Sequence, residues 1–278
     1  MFRRFVLIAL IALPCFGQSL DSLTKIHAQF SPTPILLSYE LVDQYPERQL
    51  WNTQFKQRYG DRWRILVDVR GGTPANVYGR GIPMIAGLGN ELPFTELPDE
   101  EQFVNQEVVE FINSNARLFR VQPEELVLEQ TLHFDQRWHL TFSRSYKDVP
   151  VEGSYFLVSI NHGNLVRFGT SLWGPITTSS TPTITEQNAI QILYTYLANI
   201  DSSTYSIEYP AKLVFQAEAK NGRNSIDYSG SVGDGYNYKL LWKLYIISEN
   251  EGEWTVSIDA QSGEILNFVS ASANVVPI

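Results

Sequence analysis

The chain of 278 residues has little sulfur: one cysteine, Cys15, and two methionines. A lone thiol excludes a disulfide framework and a Cys-rich zinc site. No His is followed by Glu, so the HExxH helix of zinc peptidases is missing, as is any Gly-x-Ser-x-Gly elbow. Basic residues never run longer than Arg3-Arg4, and the net charge is -9. Phosphate backbones are held by clustered Lys and Arg, so nucleic acid is not an expected partner. The acidity reads as a soluble surface. After residue 13 no long apolar run returns, so no membrane span is expected beyond the start of the chain.

Residues 1–17, MFRRFVLIALIALPCFG, have a basic start, an apolar run over 5–13, then Pro14 and small residues. This is the pattern of a secretory signal peptide, with cleavage expected between Gly17 and Gln18 and a secreted or periplasmic destination. Cys15 lies inside it, and Pro14 directly before it fits lipoprotein processing poorly. The mature chain then has no cysteine and no thiolate chemistry.

Residues 18–60 carry weak signals: Ser31-Pro32-Thr33-Pro34 is extended, and 51–59 reads as a short helix stopped by Gly60. Trp63, Ile65, Val67 and Val69 alternate with Arg64, Asp68 and Arg70, a strand with one buried and one polar face. Gly71-Gly72-Thr73-Pro74 turns the chain and Val77-Tyr78-Gly79 returns; residues 79–89 read as a loop. A helix is predicted over 98–113, with Asp99, Glu100 and Glu101 at its positive end and Phe103, Val104, Val108, Phe111 and Ile112 in one stripe. Pro123 opens a turn before Leu126-Val127-Leu128. In the strand 137–146, Trp138, Leu140 and Phe142 face one way and His139, Thr141 and Ser143 the other; the same alternation sets Leu132 and Phe134 inward and His133 outward. Both histidines read as solvated strand residues, and His162 as part of a tight turn; His27 has no context. The Ser/Thr/Pro-rich stretch 174–182 reads as a linker. Beyond it Thr183 and Glu186 have capping-box spacing, and Ala189, Ile190, Leu193, Leu197 and Ile200 make a helical stripe. Residues 213–217 read as a strand, 221–237 as a long exposed loop, Leu240, Trp242, Leu244 and Ile246 as an alternating strand, and 253–268 as a hairpin.

One pattern occurs twice. VSINHGNLVRF (158–168) returns as VSIDAQSGEILNF (256–268), the second turn two residues longer, and each copy follows an amphipathic helix. The chain therefore repeats one helix-plus-sheet design. The 30 Asp and Glu leave a carboxylate pair open, but no spacing points to one; Asp259 and Glu264 flank a turn in which Asp bonds its own backbone.

Asn115-x-x-Leu118-Phe119, the strand from His139, Val149-Pro150-Val151 and the hairpin up to Phe168 resemble the fungalysin/thermolysin propeptide (FTP) domain, with Asp148 where that family commonly has Gly. Gly71-Gly72-Thr73-Pro74 resembles the lead-in of such proregions. Glu186-Gln187-Asn188-Ala189-Ile190, Leu240-x-Trp242-x-Leu244, and Trp254 to Ala260 with Gly263-Glu264-Ile265-Leu266 resemble the PepSY domain. Together they cover roughly residues 63–268. The resemblance implies an α+β fold: two helix-on-antiparallel-sheet (cystatin-like) modules in tandem behind a β-rich lead-in. The expected boundaries are lead-in 18–95, FTP-like 96–173, linker 174–182, PepSY-like 183–270 and tail 271–278.

It also implies a role without catalysis or cofactor: a prosegment-like protein that inhibits a secreted thermolysin- or fungalysin-type zinc metallopeptidase or helps it fold, in the manner of an intramolecular chaperone. By position alone, Asn274, Val275, Val276, Pro277 and Ile278 are the candidate contacts with the peptidase cleft. Two other readings stand beside this one. The chain is the front of a precursor whose catalytic domain is missing, or it is an envelope ligand-binding module using exposed Tyr and Trp.

Overall fold

The computed structural model describes residues 39–41, 48–94, 96, 98–198, 205–207, 210–220, 228–248 and 252–270. Helix α1 (48–59) buries Trp51 and Phe55, is wound as a π-helix from Trp51 to Lys56, and stops at Gly60 at φ 89°. Strand β1 (Tyr39–Leu41) pairs with β2 (Trp63–Asp68), and β2 pairs antiparallel with β3 (Thr73–Pro83). The stretch 79–83, expected as loop, continues β3, because Ile82 and Pro83 find partners in Leu165 and Asn164.

Helix α2 (Glu100–Phe119) begins at Asp99, whose carboxylate accepts from the Gln102 amide at 2.8 Å, as an N-cap should. It runs six residues past the predicted end. Asn115, Leu118 and Phe119 extend the buried stripe, and the polar Asn115 is accommodated by donating to Phe111 O (2.7 Å) and Tyr59 Oη (3.1 Å). Left-handed Arg120 (φ 54°) closes the helix.

Four strands follow as a meander: β4 (Leu126–Phe134), β5 (Arg137–Tyr146), β6 (Val149–Asn161) and β7 (Asn164–Ser171). Because β7 also pairs with β3, the first half of the sheet runs β4-β5-β6-β7-β3-β2-β1. Helix α2 covers one of its faces. Phe168 is the centre of that core, with ring centroids 4.8 Å from Phe119, 5.3 Å from Phe111, 5.7 Å from Phe55 and 6.4 Å from Trp63.

The second half repeats the plan with α3 (Glu186–Ala198) and strands β8 (Tyr205–Ile207), β9 (Lys212–Ala219), β10 (Tyr236–Ser248), β11 (Gly252–Asp259) and β12 (Ile265–Ser270). Ala189, Leu193 and Leu197 pack on Leu244, Ile246, Val256, Ile258 and Phe268. The cap is Thr185, whose hydroxyl accepts from Asn188 N, rather than Thr183. Thr183 instead donates to Gln261, and Glu186 accepts from Ala211 N, so neither is free for a capping box.

The repeated sequence is a repeated hairpin. Val158 lies opposite Phe168 and Val256 opposite Phe268, all four buried, and both hairpins carry a register shift at the same Ser-Ile step. The shorter turn places His162 (φ 48°) and Gly163 (φ 75°) in the left-handed region, as a two-residue hairpin turn needs. In the longer one Asp259 Oδ1 accepts from Gln261 N and Ser262 N.

The two halves share one 12-stranded sheet, since β6 runs parallel to β9 with Val151 opposite Phe215 and Glu152 opposite Gln216. The expected α+β fold, helices on mainly antiparallel sheet, is the fold observed. Phe168→Ala should cost about 3–5 kcal/mol, read as the change in urea unfolding midpoint; a loss under about 1 kcal/mol would show that the aromatic cluster closes around the gap.

Candidate functional site

Two features stand out: a buried polar junction between the halves, and an uncovered sheet face on the first half.

At the junction Arg144, fully buried on β5, donates from Nε to Glu125 Oε2 (2.6 Å) and from Nη1 to Gly174 O (2.8 Å), while its guanidinium lies 4.7 Å from the Trp173 ring. Tyr238 Oη on β10 accepts from Gly174 N and donates to Leu172 O, both at 2.8 Å. Residues 174–178 are thus held against β10, a contact extended by Thr178 Oγ1 donating to Tyr238 O.

A second set of contacts surrounds the turn after β2. Asp68 accepts from Tyr236 Oη (2.7 Å) and from Arg70 N (3.0 Å). Arg70 donates to Lys220 O (2.9 Å) beneath the Tyr228 ring, and the amides of Gly233 and Gly235 bond to Val69 O and Arg70 O. A Cβ on Gly72 (φ 69°) would lie 2.4 Å from Arg120 Nη1 and 3.1 Å from Gly233 Cα, so glycine permits this approach. These contacts correct two expectations. Asp68 and Arg70 are buried rather than on a solvated face, and the stretch from Tyr228 to Gly235 is a clasp on Arg70 rather than an exposed loop. Residues 221–227 lie outside the described residues.

Burial raises Asp68 to about 6 against the pull of Tyr236 and the backbone amides, which favour the carboxylate. Burial, then the neighbouring Asp68, raises Tyr236, and burial raises Tyr238 to about 12.

The uncovered face arises from one bulge. Between Leu128 and Gln130 the β4–β5 register shifts at Glu129, which inverts the alternation of the rest of β4. Contrary to expectation, Leu132 and Phe134 point away from the helix, Phe134 at 60 % exposure. His133 lies opposite Trp138 on the helix side and stacks on its ring at 3.6 Å. The outward rows then read Val127–Ser143–Tyr155, Gln130–Thr141–Leu157 and Leu132–His139–Ser159–Arg167–Tyr78. Val127, Tyr155, Leu157 and Tyr78 are all exposed, Leu157 at 49 %. Arg64, Arg137 and Arg167 flank them, while the Glu129 carboxylate is tied to Ser143. A period-two reading without the bulge misses this patch; the clue in the sequence is Glu129 within an apolar strand.

Elsewhere, Gln191, Ile192, Thr195, Tyr196, Glu264 and Ile265 line an open groove of about 640 Å³ beside α3. Among the described residues no three His, Cys, Asp or Glu converge as metal ligands, and no helix is long and apolar enough to cross a membrane. His139 is exposed on its strand with Nδ1 3.1 Å from Ser159 Oγ. The predicted cleavage residues Gly17 and Gln18, Cys15, His27 and the candidate contacts 274–278 lie outside the described residues.

Fold and junction define an α+β protein of two helix-on-sheet units sharing one sheet. No family model matches the chain, and no curated protein matches it. Among solved structures it is similar to the Bacillus megaterium YpeB C-terminal domain, with 13 % identity, a TM-score of 0.32, and coverage of 74 % of this chain and 76 % of that one. A likeness of that size assigns no role.

The raised Asp68 fixes a direction. A folded-state value of about 6 against 3.8 contributes stability that is complete below the lower value and lost as pH rises through the upper one. Two units correspond to about 3 kcal/mol. The stability of the protein relative to its Asp68→Asn variant should therefore fall by an amount of that order between pH 4 and pH 7.5 in urea titrations. A difference that does not change with pH would refute the raised value.

Proposed function

We propose that this protein is a non-catalytic, exported, prosegment-like protein that binds a thermolysin- or fungalysin-type zinc metallopeptidase, inhibiting it, assisting its folding, or both. The observation that carries the reading is the uncovered sheet face: Tyr155 and Leu157 stand at outward positions of a central strand, where an antiparallel sheet facing water ordinarily alternates to polar residues, and Val127, Leu132 and Phe134 of β4 are exposed on the same face across the row Ser143, Thr141 and His139. The FTP- and PepSY-like motifs supply the class of partner, and the signal-like residues 1–17 support export. A protein that binds the folded or nearly folded peptidase stabilises it by mass action, and one laid across the cleft blocks substrate.

Titration of the purified protein into a purified thermolysin-type peptidase tests this. Hydrolysis should fall, or the yield of refolded peptidase rise, at micromolar protein, and a Tyr155→Asp/Leu157→Asp double variant should weaken either effect by on the order of tenfold or more. Unchanged hydrolysis and unchanged refolding yield would reject the reading.

A further inference from the structure

β4 closes one end of the sheet. Among the described residues its only strand neighbour is β5, and none of its nine residues, LVLEQTLHF, is buried. An edge strand leaves alternate N–H and C=O groups unpaired, and proteins commonly guard such edges with lysine, proline or a bulge. β4 has no lysine and no proline, and its bulge at Glu129 leaves Gln130 to Phe134 in regular register with β5.

The side chains of this regular stretch divide by face. On the helix side Thr131 Oγ1 donates to Asn105 Oδ1 at 2.8 Å and His133 stacks on Trp138, so both are engaged. On the outer side Leu132 and Phe134 are exposed, with His139 opposite Leu132 and Arg137 opposite Phe134. We propose that the free edge of β4 over residues 130–134 accepts an extended segment of a partner protein as an additional strand. The segment has apolar residues at alternate positions, beside Leu132 and Phe134, and a carboxylate at the end nearest Arg137.

Charge and register select this occupant. The strand residues that carry charge on this outer face near Phe134 and Leu132 are Arg137 and, two strands further in, Arg167, which also donates to Asn76; the exposed Asp135 belongs to the β4–β5 turn, and Glu129 is bonded to Ser143. That favours an anionic group on the incoming strand. A second copy of this chain fits poorly. An antiparallel self-pair about Thr131 would set Phe134 against Leu128, which the bulge puts on opposite faces, and one about Leu132, which keeps to the regular five residues, would bring the carboxylates of Asp135 and Glu129 together just beyond them. A separate segment carries its own register and needs only the regular five residues. Main-chain bonds then give affinity, and the outer side chains give selectivity. The site concerns the strand edge and is probed with a peptide, so its fate is separate from that of the peptidase reading.

The test uses the full protein and a synthetic peptide alternating Val and Thr with Glu at one end. Calorimetry should show saturable binding, and hydrogen exchange should slow at amides of residues 130–134. N-methylation of the peptide at alternate residues along its pairing edge should abolish binding. Arg137→Glu and the double variant Leu132→Asp/Phe134→Asp should each weaken it by on the order of tenfold or more, with unfolding midpoints confirming that these surface variants fold. Absence of saturable binding at millimolar peptide overturns the proposal, as does binding that N-methylation or the substitutions leave unchanged. Sedimentation of the free protein as a dimer that Leu132→Asp/Phe134→Asp dissolves also overturns it, since a second copy would then hold the edge.

Discussion

Arg144 is the constraint on which the joint between the halves depends. The shared sheet is continuous through only two residue pairs of β6 and β9, too short a contact to fix a register alone. A buried guanidinium is costly unless its donors and planar faces are matched. Here Glu125, Gly174 O, Trp173 and Tyr238 match them, and these come from the turn before β4, the segment after β7, and β10. Apolar contacts would bring the halves together in several neighbouring registers of similar energy. The guanidinium fork accepts one, because its planar donors are directional. Asp68 with Tyr236, and Arg70 with Lys220 O and Tyr228, apply the same logic at the next turn.

The duplicated hairpin shows what each half needs separately. Val158 and Phe168, or Val256 and Phe268, face one another across the strands and enter the helix-covered core. Both hairpins take a bulge at the Ser-Ile step, which increases local twist and lets the sheet wrap its helix. The halves differ in what surrounds the repeat. The first adds β1 to β3 and α1, so that Phe168 sits among Phe55, Trp63, Phe111 and Phe119; in the second, the Phe268 ring lies 5.8 Å from that of Trp254.

Where period and turn chemistry act locally, the sequence is readable. The strand 137–146, the His162-Gly163 turn and the repeat follow from spacing, and the helix expected from 98 begins within two residues of that, at Glu100 with Asp99 as its cap. What was hidden depends on contacts distant along the chain. Asp68 and Arg70 occupy polar positions in an alternating strand, and their partners Tyr236, Lys220 and Tyr228 lie 150 or more residues later. The continuation of α2 through Asn115 depends on Tyr59. The uncovered face was hidden for a different reason: one bulged residue inverts a strand, and an unbroken period of two passes over Glu129, the one acidic residue in it.

That inversion also decides whether the exposed apolar residues mean anything. Sheets facing water use Tyr, Thr and Leu for their strand preference alone, and single exposed apolar side chains are ordinary. By itself Tyr78 or Leu157 is such a case. Leu132 and Phe134 are different, because a regular strand would have turned both toward the helix, and the bulge that exposes them sets them in rows adjoining Leu157 and His139. A bulge in an edge strand usually interrupts pairing and so protects the edge. Here it lies at the fourth of nine residues, leaves the last five in regular register, and places Leu132 and Phe134 outward. Such an arrangement weakens protection against a partner strand while adding apolar surface for one, the opposite of what an edge kept only for stability requires.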